Sequence, residues 1–173
     1  PIILGLEMQL KGKIDNFKFV IFSIIYGFLL SYIGYLFLPA VGPRFTLHNF
    51  EMTNIELPGL WLTNFLREVV NSGESIPSGT LNPMTVVQRD VFPSGHTQMT
   101  LIVVFLAVKL KSSYKIGILI IGTLLIFATV YLRYHYFVDL IGGTLFMTLT
   151  MLTAKHLYNW WQNKTNNNLF EYK

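Results

Sequence analysis

The 173 residues include no cysteine, so disulfides and cysteine-ligated zinc or iron–sulfur centres are excluded. Charge is also scarce. Asp, Glu, Lys and Arg make up 13% of the chain, against about 25% in soluble domains. A water-facing surface needs more charge than that, and intrinsic disorder needs low hydrophobicity with high net charge, so both classes fall away. No basic patch is interleaved with aromatics, so the net charge of +4 is no nucleic-acid footprint. An initiator Met is missing too: the chain opens on Pro1 inside an apolar run, as expected for part of a longer protein. What remains is 52% hydrophobic and 15% aromatic, with a mean hydropathy of +0.47. That is the composition of an integral membrane protein.

A membrane helix needs about 20 apolar residues. Phe19 to Leu38 supplies 20 without a charge, Ile116 to Leu132 supplies 17, and Tyr136 to Ala154 supplies 19 with Asp139 as the sole charge. Thr97 to Val108 adds a shorter run of 12, which reaches roughly 25 Å if the helix extends from Ser94 to Leu110. The expected architecture is an all-α membrane bundle with four membrane helices in this chain, near 17–38, 94–110, 114–133 and 135–158. The stub from Pro1 to Leu10 reads as the end of an earlier helix. Residues 1–158 then form the membrane domain, and 159–173 a polar tail.

Charge placement orients this multi-pass bundle. All nine lysines fall at one set of helix ends (Lys11, Lys13, Lys18; Lys109, Lys111, Lys115; Lys155, Lys164, Lys173), and all four arginines (Arg44, Arg67, Arg89, Arg133) fall at the other. The positive-inside rule puts the lysines in the cytoplasm and the arginines on the outer face, be it periplasmic, extracellular or lumenal. Tyr158, Trp160 and Trp161 fit an interfacial belt at the cytoplasmic side. A long outer connection, Pro39 to Asp90, carries Leu57, Leu60, Trp61, Phe65 and Val69 at helical spacing, which predicts a short amphipathic helix over Leu57–Val70. Asn71 to Pro83 is turn-rich and reads as a mobile loop.

Three polar clusters meet on the outer side: Gly42-Pro43-Arg44, Arg89 to His96, and Arg133 to Asp139. Ionisable groups at a bilayer are costly and tend to mark function. His135 and Asp139, four apart, share one helix face, where the carboxylate can fix one imidazole nitrogen and leave the other as base, nucleophile or metal ligand. Ser94 suits an N-cap, and the helix start behind it offers free N–H groups and a positive dipole end to an anion. Gly95 lets a ligand approach the backbone. Arginines add forked contacts to phosphate oxygens. Anion pocket, arginines and two histidines together point to phosphoryl transfer. A metalloenzyme using His96, His135 and Asp139 as ligands is a weaker alternative, because the arginines would repel a cation. Hydrolysis through Ser94 is another. His48 and His156 lack such company and read as incidental.

On Pro-Ser-Gly-His at 93–96 and His-x-x-x-Asp at 135–139, the chain resembles the type 2 phosphatidic acid phosphatase superfamily over roughly 39–143. The run Tyr134 to Gly143, with Gly42-Pro43-Arg44, is similar to the branch containing inositol phosphorylceramide synthases. Two positions depart from the pattern: the first block's lysine falls on Phe37 and the third block's arginine on Thr129. Arg133, one turn later, is expected to reach the same pocket.

The resemblance implies a six-helix bundle, of which this chain holds the last four. It further implies metal-independent, cofactor-free chemistry through a phosphohistidine on His135. Asp139 would activate that nucleophile, and His96 would protonate the leaving alcohol. Arg44, Ser94 and Gly95 would bind the phosphate, with Arg133 and Arg89 as further candidates. The expected function is a lipid phosphatase acting on a lipid phosphate monoester or a prenyl or lipid pyrophosphate, drawn from the surrounding membrane lipids. A phosphotransferase between lipids and a non-catalytic lipid-phosphate binder are the alternatives. No obligatory protein partner is evident.

Overall fold

In the computed structural model, which describes residues 1–77, 79–165 and 169–172, the chain is all-helical. Two helices lead in, the short α1 (Ile2–Leu10) and the long α2 (Ile14–Phe37). The connection that follows holds α3 (Pro43–Thr46), a 3-10 turn (Phe50–Met52), α4 (Thr53–Glu56), α5 (Thr63–Gly73) and α6 (Pro83–Val86). The bundle closes with α7 (Gly95–Lys109), α8 (Lys115–Tyr131) and α9 (Phe137–Lys164). Helix α2 packs on α7 and α9, and α7 packs on both α8 and α9. Alternation of direction brings residues 38–94 and 132–136 to one end of the bundle. A backbone bridge between Ala40 and Asp90, and the Arg44 N–H donating to the Arg133 carbonyl at 3.1 Å, tie that end together.

The bundle is small inside and apolar outside. Gly27, Gly34 and Gly122 sit where an added Cβ would lie within 3 Å of Ile102 and Thr100 on α7 and of Pro93 just before it. Such close approach is how helices associate when hydrophobic burial cannot drive them together. Gln98 crosses the interior and donates to the Gly27 carbonyl at 2.8 Å. Ile25, Leu29, Leu36, Ile121, Leu124, Phe127, Leu145 and Leu152 all point outward, exposed. Water would penalise that surface and hydrocarbon would not. Apolar burial concentrates at the lysine end, where Leu4, Met8, Phe19, Ile102, Leu106, Leu110, Ala154 and Tyr158 form the core.

Several boundaries differ from the sequence reading. Four spans were expected; two helices, α2 and α9, are long and apolar enough to cross a membrane, whereas α7 has 15 residues and α8 has 17. Both short helices stop at turns made by charged residues in the left-handed region, Lys111 at φ 52° and Arg133 at φ 65°. The surface helix begins at Thr63 rather than Leu57, because Pro58 and Gly59 break the pattern, and it runs on to Gly73. Ser78, within the expected mobile loop, lies outside the described residues, as does Lys173 of the lysine set. Helix α9 continues to Lys164, past the boundary set at 158, because no Gly or Pro stands between Tyr158 and Lys164. The segment beyond is not simply a solvated tail. Phe170 is buried and stacks on Phe19 with ring centroids 4.0 Å apart, held by its N–H donating to Asn159 at 2.9 Å. At the same end α1 is pinned by Glu7, which accepts from Lys11, the Ser112 hydroxyl and the Ser113 N–H.

Candidate active site

Helix α9 begins two residues after the site's central histidine, His135. Tyr136 is its N-cap, and Asp139, buried in the first turn, accepts the Tyr136 N–H at 2.7 Å. A carboxylate there offsets both an unpaired N–H and the positive helix end. His135 is positioned from the other side, its N–H donating to the Thr129 carbonyl at 3.1 Å as α8 ends. Its Nδ1 lies 3.6 Å from Asp139 Oδ2, an ion-pair distance longer than a hydrogen bond, and that nitrogen has no other partner. His135 and Asp139 therefore do not share a helix face as the spacing predicted: His135 precedes the N-cap, the pair meets across the helix start, and the cap claims the carboxylate oxygen first. On the other side of the ring, Nε2 faces His96 Nδ1 at 3.3 Å.

His96 comes from the start of α7. Ser94 caps that helix: its hydroxyl accepts the Thr97 N–H at 3.2 Å, and its own N–H donates to the Asp139 carbonyl at 3.0 Å. The two histidine-bearing segments are thus tied directly to each other. A Cβ on Gly143 would lie 2.5 Å from the Ser94 carbonyl, so only glycine permits this approach of α9 to α7.

A cavity of about 480 Å³ opens beside the two histidines, its polar lining including Arg44, Glu74, Asp90 and Tyr134. Gly95 also lines it. Ser94 is wholly buried behind it as a cap and does not line it. Arg44 is 4% exposed. Its guanidinium lies 4.6 Å from the Phe45 ring and 4.4 Å from the Tyr134 ring, with Phe50 at 5.5 Å. Its fork is engaged by Asn71 Oδ1 at 2.9 Å and by the Glu74 carboxylate. Burial pushes the Glu74 carboxyl above the usual range, against the pull of Arg44.

The other expected arginines stand elsewhere. Arg133 is paired with Glu56, and neither it nor the exposed Arg89 lines the cavity. Thr129, at the place where the related pattern has arginine, is buried and contributes its carbonyl to His135 rather than a cation. Phe37 is exposed on the bundle surface. His48 and His156 are exposed and do not line the cavity. Among the described residues, no three His, Asp or Glu side chains are gathered as ligands of one metal ion.

Sequence reasoning missed Asn71, Glu74 and Tyr134 as neighbours of Arg44. Tyr134 lay in a flagged block, and its aromatic ring beside an arginine was the available signal. Nothing in the turn-rich stretch around Glu74 marked that residue.

The family model of the PAP2 superfamily matches residues 5–153. Among curated proteins, a PA-phosphatase related-family protein from Dictyostelium discoideum is 29% identical over 130 residues, covering 75% of this chain. The chain spans 22% of that relative's length. No solved structure matches the chain. With a match covering most of its length, and a helical bundle holding both histidine blocks at one end, the chain belongs to the PAP2 superfamily.

Proposed function

We propose that the protein hydrolyses a lipid phosphate monoester, or a prenyl or lipid pyrophosphate, through a phosphohistidine on His135. The observation that carries this reading is the line Asp139, His135, His96, with contacts of 3.6 and 3.3 Å, at the wall of a cavity that also holds Arg44. Membership in a superfamily of phosphatase-type enzymes supports it.

In the reaction, His135 Nε2 attacks phosphorus. A P–N bond forms, the P–O bond to the lipid breaks, and protonated His96 gives its proton to the leaving oxygen. Asp139 stabilises the charge that develops on the His135 ring and keeps the proton on Nδ1. Neutral His96 then takes a proton from water, whose oxygen attacks phosphorus and releases His135 and phosphate. At 3.3 Å the two rings leave no room for a phosphate between them, so substrate binding must part them. Arg44 and the N–H groups at the start of α7 would hold the phosphate oxygens. The two histidines supply nucleophile and acid, so the scheme calls for no metal or cofactor.

Four crossings would place this end of the bundle on the outer face and the lysine loops in the cytoplasm, by the positive-inside rule. Helices α7 and α8, though short, would span with one end at the interface.

A phosphotransferase is the second reading. The observation favouring it is a neighbouring cavity of about 760 Å³ that shares Arg44, Glu74, His96 and Tyr134 with the first and adds the apolar walls of Leu57, Leu60, Leu66 and Leu132. Two joined cavities could seat donor and acceptor lipids together, with a lipid hydroxyl replacing water in the second step.

The test is phosphate release from a panel of lipid phosphates by the full-length protein in detergent with EDTA, beside His135→Ala. Release that vanishes in the variant supports the phosphatase. Release that persists in the variant removes His135 as nucleophile. A phosphodiester product on adding a lipid alcohol, without free phosphate, selects the transferase. Binding without turnover in either form would leave a non-catalytic lipid-phosphate binder.

A further inference from the structure

We propose that Glu74 is a built-in competitor for the substrate phosphate: its carboxylate occupies the guanidinium fork of Arg44, and an entering phosphate binds by displacing it. This rests on the reading of Arg44 as a phosphate ligand. The geometry leaves an anion little choice. Arg44 is almost fully buried, rings of Phe45 and Tyr134 lie against its guanidinium, and its two terminal nitrogens are spent on Asn71 and Glu74. Carboxylate and phosphate seek the same forked donors, so whichever sits there excludes the other. Glu74 lies on the wall of the cavity that His96 and His135 share, where a phosphate awaiting attack must sit.

The mounting of Glu74 suits a group that leaves. It follows directly on α5, a helix with no buried residue, so withdrawing it gives up little apolar burial. On either side of it, Gln88 Nε2 donates to the Gly73 carbonyl and the Ser75 hydroxyl at 3.3 Å each, at the long end of the hydrogen-bond range. The arrangement is repeated nearby. Arg133, the other arginine expected in the pocket, is paired with Glu56 from the same connection. An incoming group must therefore bring more negative charge than one carboxylate, which selects a phosphate monoester or pyrophosphate over a singly charged phosphodiester.

The probe is inorganic phosphate, titrated into the full-length protein in detergent by calorimetry, which needs no turnover. Glu74→Gln keeps the shape and removes the charge, and it is expected to bind phosphate about tenfold more tightly than wild type, equivalent to about 1.4 kcal/mol. Adding Arg44→Ala to Glu74→Gln should abolish the gain. Should Glu74→Gln fail to fold, Glu74→Asp, which is one methylene shorter and draws the carboxylate out of the fork, gives the same direction. In active protein the KM for the lipid phosphate falls by the same factor. Unchanged or weaker phosphate binding by Glu74→Gln overturns the proposal and makes Glu74 a counter-ion that positions Arg44. Absence of phosphate binding in both forms overturns it as well, and places the failure in the phosphate-site reading itself. Failure of lipid turnover with the tenfold gain intact leaves the competitor standing and removes only the catalytic reading.

Discussion

Replacing Asp139 by Asn separates what this carboxylate does for the reaction from what it does for the fold. Its Oδ2 lies 3.6 Å from His135 Nδ1 in a buried setting. For a unit charge at that distance and an effective dielectric near 20, the attraction to a positively charged imidazole is about 4 to 5 kcal/mol. Asn removes it, because the amide oxygen that takes the place of Oδ2 carries no full charge. The expected loss in kcat is about 10³-fold, from about 1.4 kcal/mol per factor of ten. The fold should barely notice, because the Asn oxygen can still accept the Tyr136 N–H that Asp139 now holds at 2.7 Å. Asp139→Ala loses that cap as well and is expected to cost about 1 kcal/mol more in stability. Lipid-phosphate turnover and thermal unfolding in the same detergent, for wild type and both variants, read the two effects apart. If Asp139→Asn stays within tenfold of wild-type kcat while unfolding normally, Asp139 is a helix cap only and the proposed activation of His135 is wrong.

Gly95→Ala would place a Cβ 2.5 Å from the Tyr35 hydroxyl. It should lower stability by about 1–3 kcal/mol, and Tyr35→Phe in the same chain should restore most of the loss in a thermal melt. Glu7→Ala strands the Ser113 N–H and the Ser112 hydroxyl at the far end of the bundle, so the unfolding temperature should drop, by about 1–3 kcal/mol in stability, while KM is unchanged. A shifted KM would mean that this end is coupled to the site. Glu74→Gln carries a pH signature. Arg44, Asp90, His135 and Tyr134 face Glu74, and burial raises its carboxyl pKa in the fold, so the folded state favours the protonated form. Stability associated with that proton is present below the ordinary glutamate range and is lost as pH rises through the raised value. Glu74→Gln escapes the loss, so its unfolding temperature relative to wild type should climb across the range above the ordinary glutamate value of about 4.3. A constant difference across that range would refute the assignment.

Local spacing made the centre of the site readable. His135 and Asp139 are four apart, and Ser94 two residues before His96 suits a cap, so local spacing marked both segments, although His135 stands just before its helix rather than on it. The exclusion of soluble and nucleic-acid-binding classes needed only composition. Contacts between segments were not readable. Arg44 meets Glu74 across 30 positions and Arg133 meets Glu56 across 77, and no periodicity relates residues so far apart through a turn-rich connection. The end of α9 was misjudged for a similar reason. Hydropathy registers where apolar residues run, whereas a helix ends where the backbone can turn or where packing, as of Phe170 on Phe19, holds the following chain.

The sequence by itself determined an apolar helical chain with its lysines and arginines at opposite ends and two histidine blocks beside the arginines, because helical period and charge placement are local or summed properties. Only the tertiary structure decided which nitrogen of His135 faces His96, which arginine enters the cavity, and that an acid from the connecting segment already holds it. Those are questions of distance between elements, settled by how α7, α8 and α9 pack and by where the connection lies across their ends.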